Sequence, residues 1–252
     1  MSDLFDVSGK VTLVTGGTSG IGRMIAQGFA EAGATVYVSS RKADAVAETA
    51  AELGVIGIAA DLSTEQECLR LAEEIGNREQ RLDVLVNNAG ATWGAALEEF
   101  PAAAWDKVLD LNVKSPFFLT RALLGLLEAA ATEDDPARVI NIGSIDGLRV
   151  PELPNYSYSA SKAAVHQLTR VLARDLGPRR ITVNAVAPGP FQSKMMRATL
   201  EAAGDEIAAA SPLGRIGRPD DMVGVSRFLA ARAGSYVTGA VIPVDGGAWT
   251  TS

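Results

Sequence analysis

Lys10-Val11-Thr12-Leu13-Val14-Thr15-Gly16-Gly17-Thr18-Ser19-Gly20-Ile21-Gly22 decides how the rest of the chain is read. Residues 10–15 are a β-rich run that stops at a glycine pair. Residues 21–32 then read as a helix, with Ile21, Ile25 and Phe29 four apart on one face. The small residues Ala26 and Gly28 are expected to let that helix approach the sheet closely. Gly33-Ala34 ends it, and 35–39 is a second strand. A strand, a helix and a strand in this order form a βαβ unit, whose crossover is right-handed.

The rhythm repeats outward from this unit. Helices are expected over 43–53, 64–77, 156–176 and 220–231, and strands over 55–60, 82–86, 138–142, 181–186 and 241–244. Glu65 and Glu67 suit the positive end of the second of these helices, and Gly177-Pro178 stops the third. A long helical region is expected over 101–131, bent at Pro116. The strands are short apolar runs without alternation, which fits a parallel sheet covered on both faces. Seven strands alternating with helices predict an α/β chain with a doubly wound, Rossmann-type parallel sheet. No linker or shift in composition divides it, so residues 1–252 are expected to form one domain. Residues 188–219, with four Pro and four Gly, are expected to be an irregular insertion that acts as a lid over a site.

The composition is 47% hydrophobic and 21% charged, enough apolar material for a sizeable core. A net charge of -7 without a basic block argues against a nucleic-acid partner. One cysteine, Cys68, excludes an intrachain disulfide and suits a reducing compartment. One histidine, His166, makes a histidine-based metal cluster a poor expectation, and no metal site is expected. The first residues lack a basic region followed by an apolar run, and no window of about 18 residues is uninterruptedly apolar. A cytoplasmic protein with no membrane partner is the expectation.

Several stretches carry chemistry. Glycines where a strand turns into a helix let backbone N–H groups approach a pyrophosphate, so Gly16, Thr18, Ser19, Gly20, Ile21 and Gly22 are candidates to bind a dinucleotide. A carboxylate at the end of the second strand would hold the ribose of NAD, but Tyr37-Val38-Ser39-Ser40 offers none. Arg41 follows Ser40, and a guanidinium matches a 2′-phosphate in a bidentate way, so NADP is preferred, with NAD possible. Thr18 and Ser19 add no basic residue to that preference. Asp61-Leu62 follows the third strand, where Asp61 either meets an adenine amino group or opens the next helix. Asn87-Asn88-Ala89-Gly90 closes the fourth strand and either holds ribose or backbone or forms a plain turn. Asn112 is mildly unfavourable inside a helix. Tyr158 and Lys162 lie one helical turn apart, so the ammonium can lower the phenol's pKa from its usual value near ~10. Such a pair beside a nucleotide could move a proton and a hydride together.

Taken in order, Thr15-Gly16, Gly20, Gly22, Asn87-Asn88-Ala89-Gly90, Asn112, Ser144, Tyr158, Lys162 and Pro188-Gly189 resemble the short-chain dehydrogenase/reductase family over nearly the whole chain. Within it the text is most similar to bacterial 3-oxoacyl reductases, including the rhamnolipid-pathway type, and to gluconate-type sugar dehydrogenases. The resemblance implies an oxidoreductase in which Tyr158 exchanges a proton with the substrate oxygen and Lys162 lowers the Tyr158 pKa and binds the nicotinamide ribose. It implies that Ser144 orients the substrate oxygen, and that Asn112 opens its helix and holds a water linking Lys162 to solvent. Asn88, Ala89 and Gly90 join Pro188 and Gly189 as cofactor contacts. The family usually has Thr four residues after the Gly of Pro-Gly; here Ser193 stands there, keeping a hydroxyl to grip the nicotinamide amide. Tyr156 is a decoy, because Ala160 and not Lys lies four residues on. His166 extends the Lys162 face by one turn and is expected to be a packed or surface residue. Trp93, Met195 and Met196 either line an apolar substrate pocket or pack as ordinary lid and core residues. A homotetramer is the family's usual assembly.

The substrate is a small-molecule carbonyl or alcohol on this reading. A chain tethered to an acidic carrier protein would need a basic docking face. Residues 122–137 carry Glu128, Glu133, Asp134 and Asp135 but no Lys or Arg, which favours a free ketone, sugar or steroid-like alcohol. The non-enzyme alternative, a nucleotide-binding sensor with a dead site, is disfavoured because Ser144, Tyr158 and Lys162 are all present.

Overall fold

The computed structural model describes residues 4–151, 153–193, 196–249 and 251, apart from the side chain of Ala198. Its seven strands are β1 (Val11–Thr15), β2 (Thr35–Ser40), β3 (Ile56–Ala59), β4 (Val84–Asn87), β5 (Ala137–Ile142), β6 (Ile181–Pro188) and β7 (Val241–Val244). They form one sheet in the order β3-β2-β1-β4-β5-β6-β7, and every pairing is parallel. The chain winds outward from β1 to β3, then returns to lay β4 on the other side of β1. That reversal opens a crevice at the carboxyl ends of β1 and β4, where doubly wound sheets bind ligands.

The strands are apolar on both sides because both faces are covered. Leu13, Leu85, Val139 and Val183 face a core that includes Leu71 and Ile75 of α3 (Glu65–Gly76), Leu119 of α5 (Ser115–Ala122) and Leu172 and Leu176 of α7 (Tyr156–Leu176). Val14, Val38, Val86, Ile140 and Val186 face the other core, built with Ile25 and Phe29 of α1 (Gly20–Glu31) and Met222 and Leu229 of α9 (Pro219–Ala230). Gly28 serves a different contact from the one expected. A Cβ there would lie 2.5 Å from both Val223 methyls, so the glycine lets α1 approach α9 rather than the sheet.

The region 101–131 departs from a helix bent at Pro116. It divides into α4 (Ala102–Leu109), a π turn over Asp110–Lys114, α5 and α6 (Leu124–Ala130), with a break at Leu123. Pro116 follows the π turn directly, within a helical path continuous from Ala102 to Ala122. Residues 188–219 are likewise less irregular than expected, for they include α8 (Arg197–Ala209), kinked at Ala203. The base of this insertion is closed by a bridge between Phe191 and Gly217, with Gly217 N donating to the Pro190 carbonyl at 2.9 Å. α2 (Ala43–Leu53) has the expected bounds, and so does α7.

Candidate active site

The crevice begins at the turn from β1 into α1. Thr15 Oγ1 accepts from the Asn88 and Ala89 backbone N–H groups, both at 2.9 Å, and donates to the Val86 carbonyl at 3.3 Å. Asn88 Nδ2 donates to the carbonyls of Thr15 at 2.8 Å and Gly16 at 3.2 Å. Strand ends β1 and β4 are thereby sewn together, and Asn88 holds backbone. Gly16 has a φ of +64°, and a Cβ on Gly22 would fall 2.3 Å from Asn88 Nδ2 and 2.4 Å from the Gly16 carbonyl oxygen. Only glycine fits either position.

Above this turn the N-terminus of α1 has no side-chain cap and no acidic residue in its first turn. Its N–H groups therefore suit an anionic ligand, and Thr18, Ser19, Gly20 and Ile21 are at this end. The donor set fits a dinucleotide pyrophosphate. Ser193 lies against Gly20, whose added Cβ would be 3.0 Å from the Ser193 Cβ. Pro188 ends β6, and Gly189 N donates to the Val244 carbonyl at 3.0 Å. Ser40 ends β2, and the exposed Arg41 beyond it forms no ion pair among the described residues. Asp61 is exposed and accepts from Ser63 N at 3.2 Å, so it leads into α3, which Thr64 caps through Glu67 N; Leu62 is buried in the core.

The candidate reacting groups gather at the carboxyl ends of β4 and β5. Ser144 follows β5 and accepts from Asp146 N at 3.1 Å, starting the short helical turn Ile145–Gly147. The Tyr158 phenol lies near the Ser144 hydroxyl, which favours its ionised form. Lys162, only 6% exposed, points inward from α7 and donates to the Ile142 carbonyl at 2.7 Å. Asn112 occupies the π turn. It accepts from Ala91 N at 2.8 Å and donates to the Ala91 carbonyl and to Ser161 Oγ, both at 2.9 Å. Ser161 donates in turn to the Tyr158 carbonyl at 2.6 Å. Gly90 joins the two halves, since a Cβ there would lie 3.3 Å from Asn112 Oδ1 and 3.8 Å from Lys162 Nζ.

Burial is the first cause of the electrostatics here. Lys162 Nζ lies 5.5 Å from the centroid of the Tyr158 ring and is tied to the strand. The Tyr158 phenol is pushed up to about 12, first by burial; the Ser144 hydroxyl opposes this and the Asp146 charge adds to it. Burial lowers Lys162 to about 8. The phenol and the ammonium are thus each shifted toward their neutral forms by desolvation. Asn112 opens its helix as expected and bonds to Ala91 and Ser161.

Tyr156 behaves as a decoy. It is 40% exposed and packs edge-on to Phe100 with ring centroids 5.6 Å apart. Trp93 is exposed, with Lys107 Nζ 5.8 Å from its ring centroid, Met196 is half-buried, and Met195 lies outside the described residues. His166 is packed, not exposed. Sequence reasoning missed the structural roles of Thr15, Ser161 and the Ile142 carbonyl. The first two were legible only as hydroxyls at a strand end and beside the lysine. The third has no side-chain signal. Among the described residues no group of His, Cys, Asp and Glu could hold a metal ion, and no helix is long and apolar enough to cross a membrane.

Comparison with known proteins finds relatives along the whole chain. The family described as enoyl-(acyl carrier protein) reductase matches residues 16–249. The rhamnolipids biosynthesis 3-oxoacyl-[acyl-carrier-protein] reductase of Pseudomonas aeruginosa is 49% identical over 98% of this chain and 99% of its own. The 2-dehydro-3-deoxy-D-gluconate 5-dehydrogenase of Dickeya dadantii is 36% identical over 96% of both. Among solved structures, the Pseudomonas aeruginosa RhlG/NADP active-site complex superposes with a TM-score of 0.95 at 48% identity, over 99% of this chain and 100% of that one. The sheet order, the site and these relatives together assign the chain to the short-chain dehydrogenase/reductase family of NAD(P)-dependent oxidoreductases.

Proposed function

We propose that this protein is an NADP(H)-preferring oxidoreductase that interconverts a ketone and a secondary alcohol, with Tyr158 as acid and base. The observation that carries the reading is Lys162, buried 5.5 Å from the centroid of the Tyr158 ring and anchored to the Ile142 carbonyl, with Ser144 near the phenol. When bound, the nicotinamide supplies or accepts the hydride. Tyr158 gives its phenolic proton to the carbonyl oxygen in reduction and takes it back in oxidation. Ser144 donates to the same oxygen and stabilises its developing charge. Lys162 supports the phenolate as it forms and holds the ribose. Asn112, through Ser161, fixes the first turn of α7 that carries Tyr158.

The remaining residues of the glycine turn hold the cofactor, together with Asp61, Leu62, Asn88, Ala89, Gly90, Pro188, Gly189 and Ser193. Ser40 and the free guanidinium of Arg41 receive the 2′-phosphate. A solved relative of 48% identity carries NADP, which supports that preference. Residues 188–219 act as a lid on a single domain, and a homotetramer in the cytoplasm completes the reading; the buried free Cys68 suits a reducing compartment.

A carrier-bound 3-oxoacyl chain is the second substrate reading, favoured by the 49% identical relative. The acidic stretch that argued against it is partly neutralised. Glu128 pairs with Arg179 at 2.6 Å, and Asp135 pairs with Lys10 at 2.6 Å and Arg138 at 2.9 Å. The test is NADPH oxidation with small ketones, sugar ketones and 3-oxoacyl thioesters, free and on a carrier protein. Highest kcat/KM with a free carbonyl supports the first reading, equal or higher kcat/KM with the carrier-bound chain supports the second, and no turnover with any of them defeats both.

A further inference from the structure

His166 is buried to 2% exposure one turn beyond Lys162 on α7. Neither ring nitrogen has a hydrogen-bond partner of ordinary geometry within the chain. A buried unpaired imidazole is disfavoured unless something else requires it. Its surroundings say what that is. A Cβ on Gly143 would fall 2.2 Å from His166 Nε2, and a Cβ on Gly147 would fall 2.9 Å from His166 Cε1. These two glycines bracket Ser144 and the turn it starts.

The same segment is held at both sides. Gly143 N donates to the Val186 carbonyl at 2.7 Å, and Ile142, the residue before it, receives Lys162. A Cβ on Gly147 would also press within 2.7 Å of the Ala163 backbone nitrogen. Tyr158, Lys162 and His166 therefore meet the segment 142–147 at successive helical turns, the first through Ser144, the second through Ile142, the third through the two glycines.

We infer that His166 is a positioning residue for the reaction: its flat ring, seated against Gly143 and Gly147, sets where Ser144 stands relative to Tyr158 and where the Ile142 carbonyl meets Lys162. The ring acts by shape. It remains uncharged at neutral pH, because burial first, then the Lys162 and Arg170 charges, lower its pKa to about 4; a backbone contact at Gly147 opposes them only in part. This role rests on the catalytic assignment of Ser144, Tyr158 and Lys162 above.

The test uses the full chain and five variants: Gly143→Ala, His166→Asn, the two combined, His166→Leu, and Tyr158→Phe as a control. Asn is planar but shorter, so it removes Nε2, the atom that a Cβ on Gly143 would strike first. The readouts are kcat, KM, NADPH affinity and thermal midpoint. A displacement of about an ångström at reacting groups costs up to about a hundredfold, so Gly143→Ala and His166→Leu are each expected to lower kcat by about tenfold or more, with NADPH affinity within about twofold of wild type. The combined variant is expected to recover kcat by at least about threefold over Gly143→Ala, the sign of direct coupling. Wild-type kcat in His166→Leu overturns the inference, as does a combined variant no better than Gly143→Ala. Should Gly143→Ala not fold, His166→Leu decides alone, since it adds no Cβ and fills the same space without a flat ring. Turnover retained in Tyr158→Phe would instead overturn the catalytic assignment, whatever the His166 variants do.

Discussion

Lys162 Nζ lies 2.7 Å from the Ile142 carbonyl oxygen, while the Tyr158 ring centroid is 5.5 Å away. The lysine is thus a bolt between α7 and the end of β5, and its charge sits in a desolvated place. With Lys162 lowered to about 8 and Tyr158 raised to about 12, the phenol keeps its proton throughout the neutral range, and the ammonium is the group that titrates first. Carbonyl reduction is expected to fall as pH rises through about 8. A pH–rate profile for NADPH oxidation checks this; a flat profile to well above that value contradicts it.

The same shift has a signature in stability. The folded chain holds the Lys162 proton less tightly than the unfolded chain, whose lysine titrates at 10.5. Below about 8 both states are protonated and the desolvation penalty is fully present; between there and 10.5 the unfolded state binds more protons, so stability rises with pH. Urea unfolding of wild type and Lys162→Met, at the low and high ends of that window, isolates this contribution. Wild type should gain on the variant as pH rises.

Thr15 is the central knot of the two strand ends. Thr15→Val keeps the shape but leaves the Asn88 and Ala89 N–H groups without their acceptor. Both donors are half-buried, which discounts the penalty for an unsatisfied group, so a loss of about 1–3 kcal/mol is expected, with weakened cofactor binding. Denaturant midpoints and NADPH titration measure the two effects.

Arg41 should read the extra phosphate of NADPH. Arg41→Ala is expected to weaken NADPH by about 1–3 kcal/mol, the range for a charged hydrogen bond, and to leave NADH unchanged. Calorimetric titration of both nucleotides checks it. Equal effects on the two would move the 2′-phosphate contact elsewhere.

Asn112 holds the π turn open by bonding both backbone groups of Ala91 and the Ser161 hydroxyl. Asn112→Ala strands those groups in a buried place and is expected to cost about 2–4 kcal/mol and to lower kcat by loosening the start of α7. Unfolding curves and kcat measured together distinguish this from a loss of cofactor affinity alone.

Much of this was legible in the chain itself. The βα alternation could be read because the strands are short apolar runs and helices carry punctuation, such as Gly33-Ala34 after α1 and Gly177-Pro178 after α7. The site motifs could be read because glycines, the two central amides and the Tyr158–Lys162 spacing are local. The opening at Asn112 was implied by the resemblance, but its π form was not legible, because it is set by the bond from Asn112 to Ala91, distant in sequence. α8 was hidden by the prolines and glycines around it. The anchoring of Lys162 was not legible, because its partner is a backbone carbonyl, which no side-chain pattern reveals. The seat of His166 depends on two glycines outside its own helix.

The most direct test of the central claim is NADPH oxidation by wild type and Tyr158→Phe with the best carbonyl found, alongside NADPH affinity for each. Losing the proton donor should lower kcat by about a hundredfold to ten-thousandfold while NADPH binding stays within about twofold. Wild-type turnover in Tyr158→Phe would contradict the account, because the proton would then come from another group.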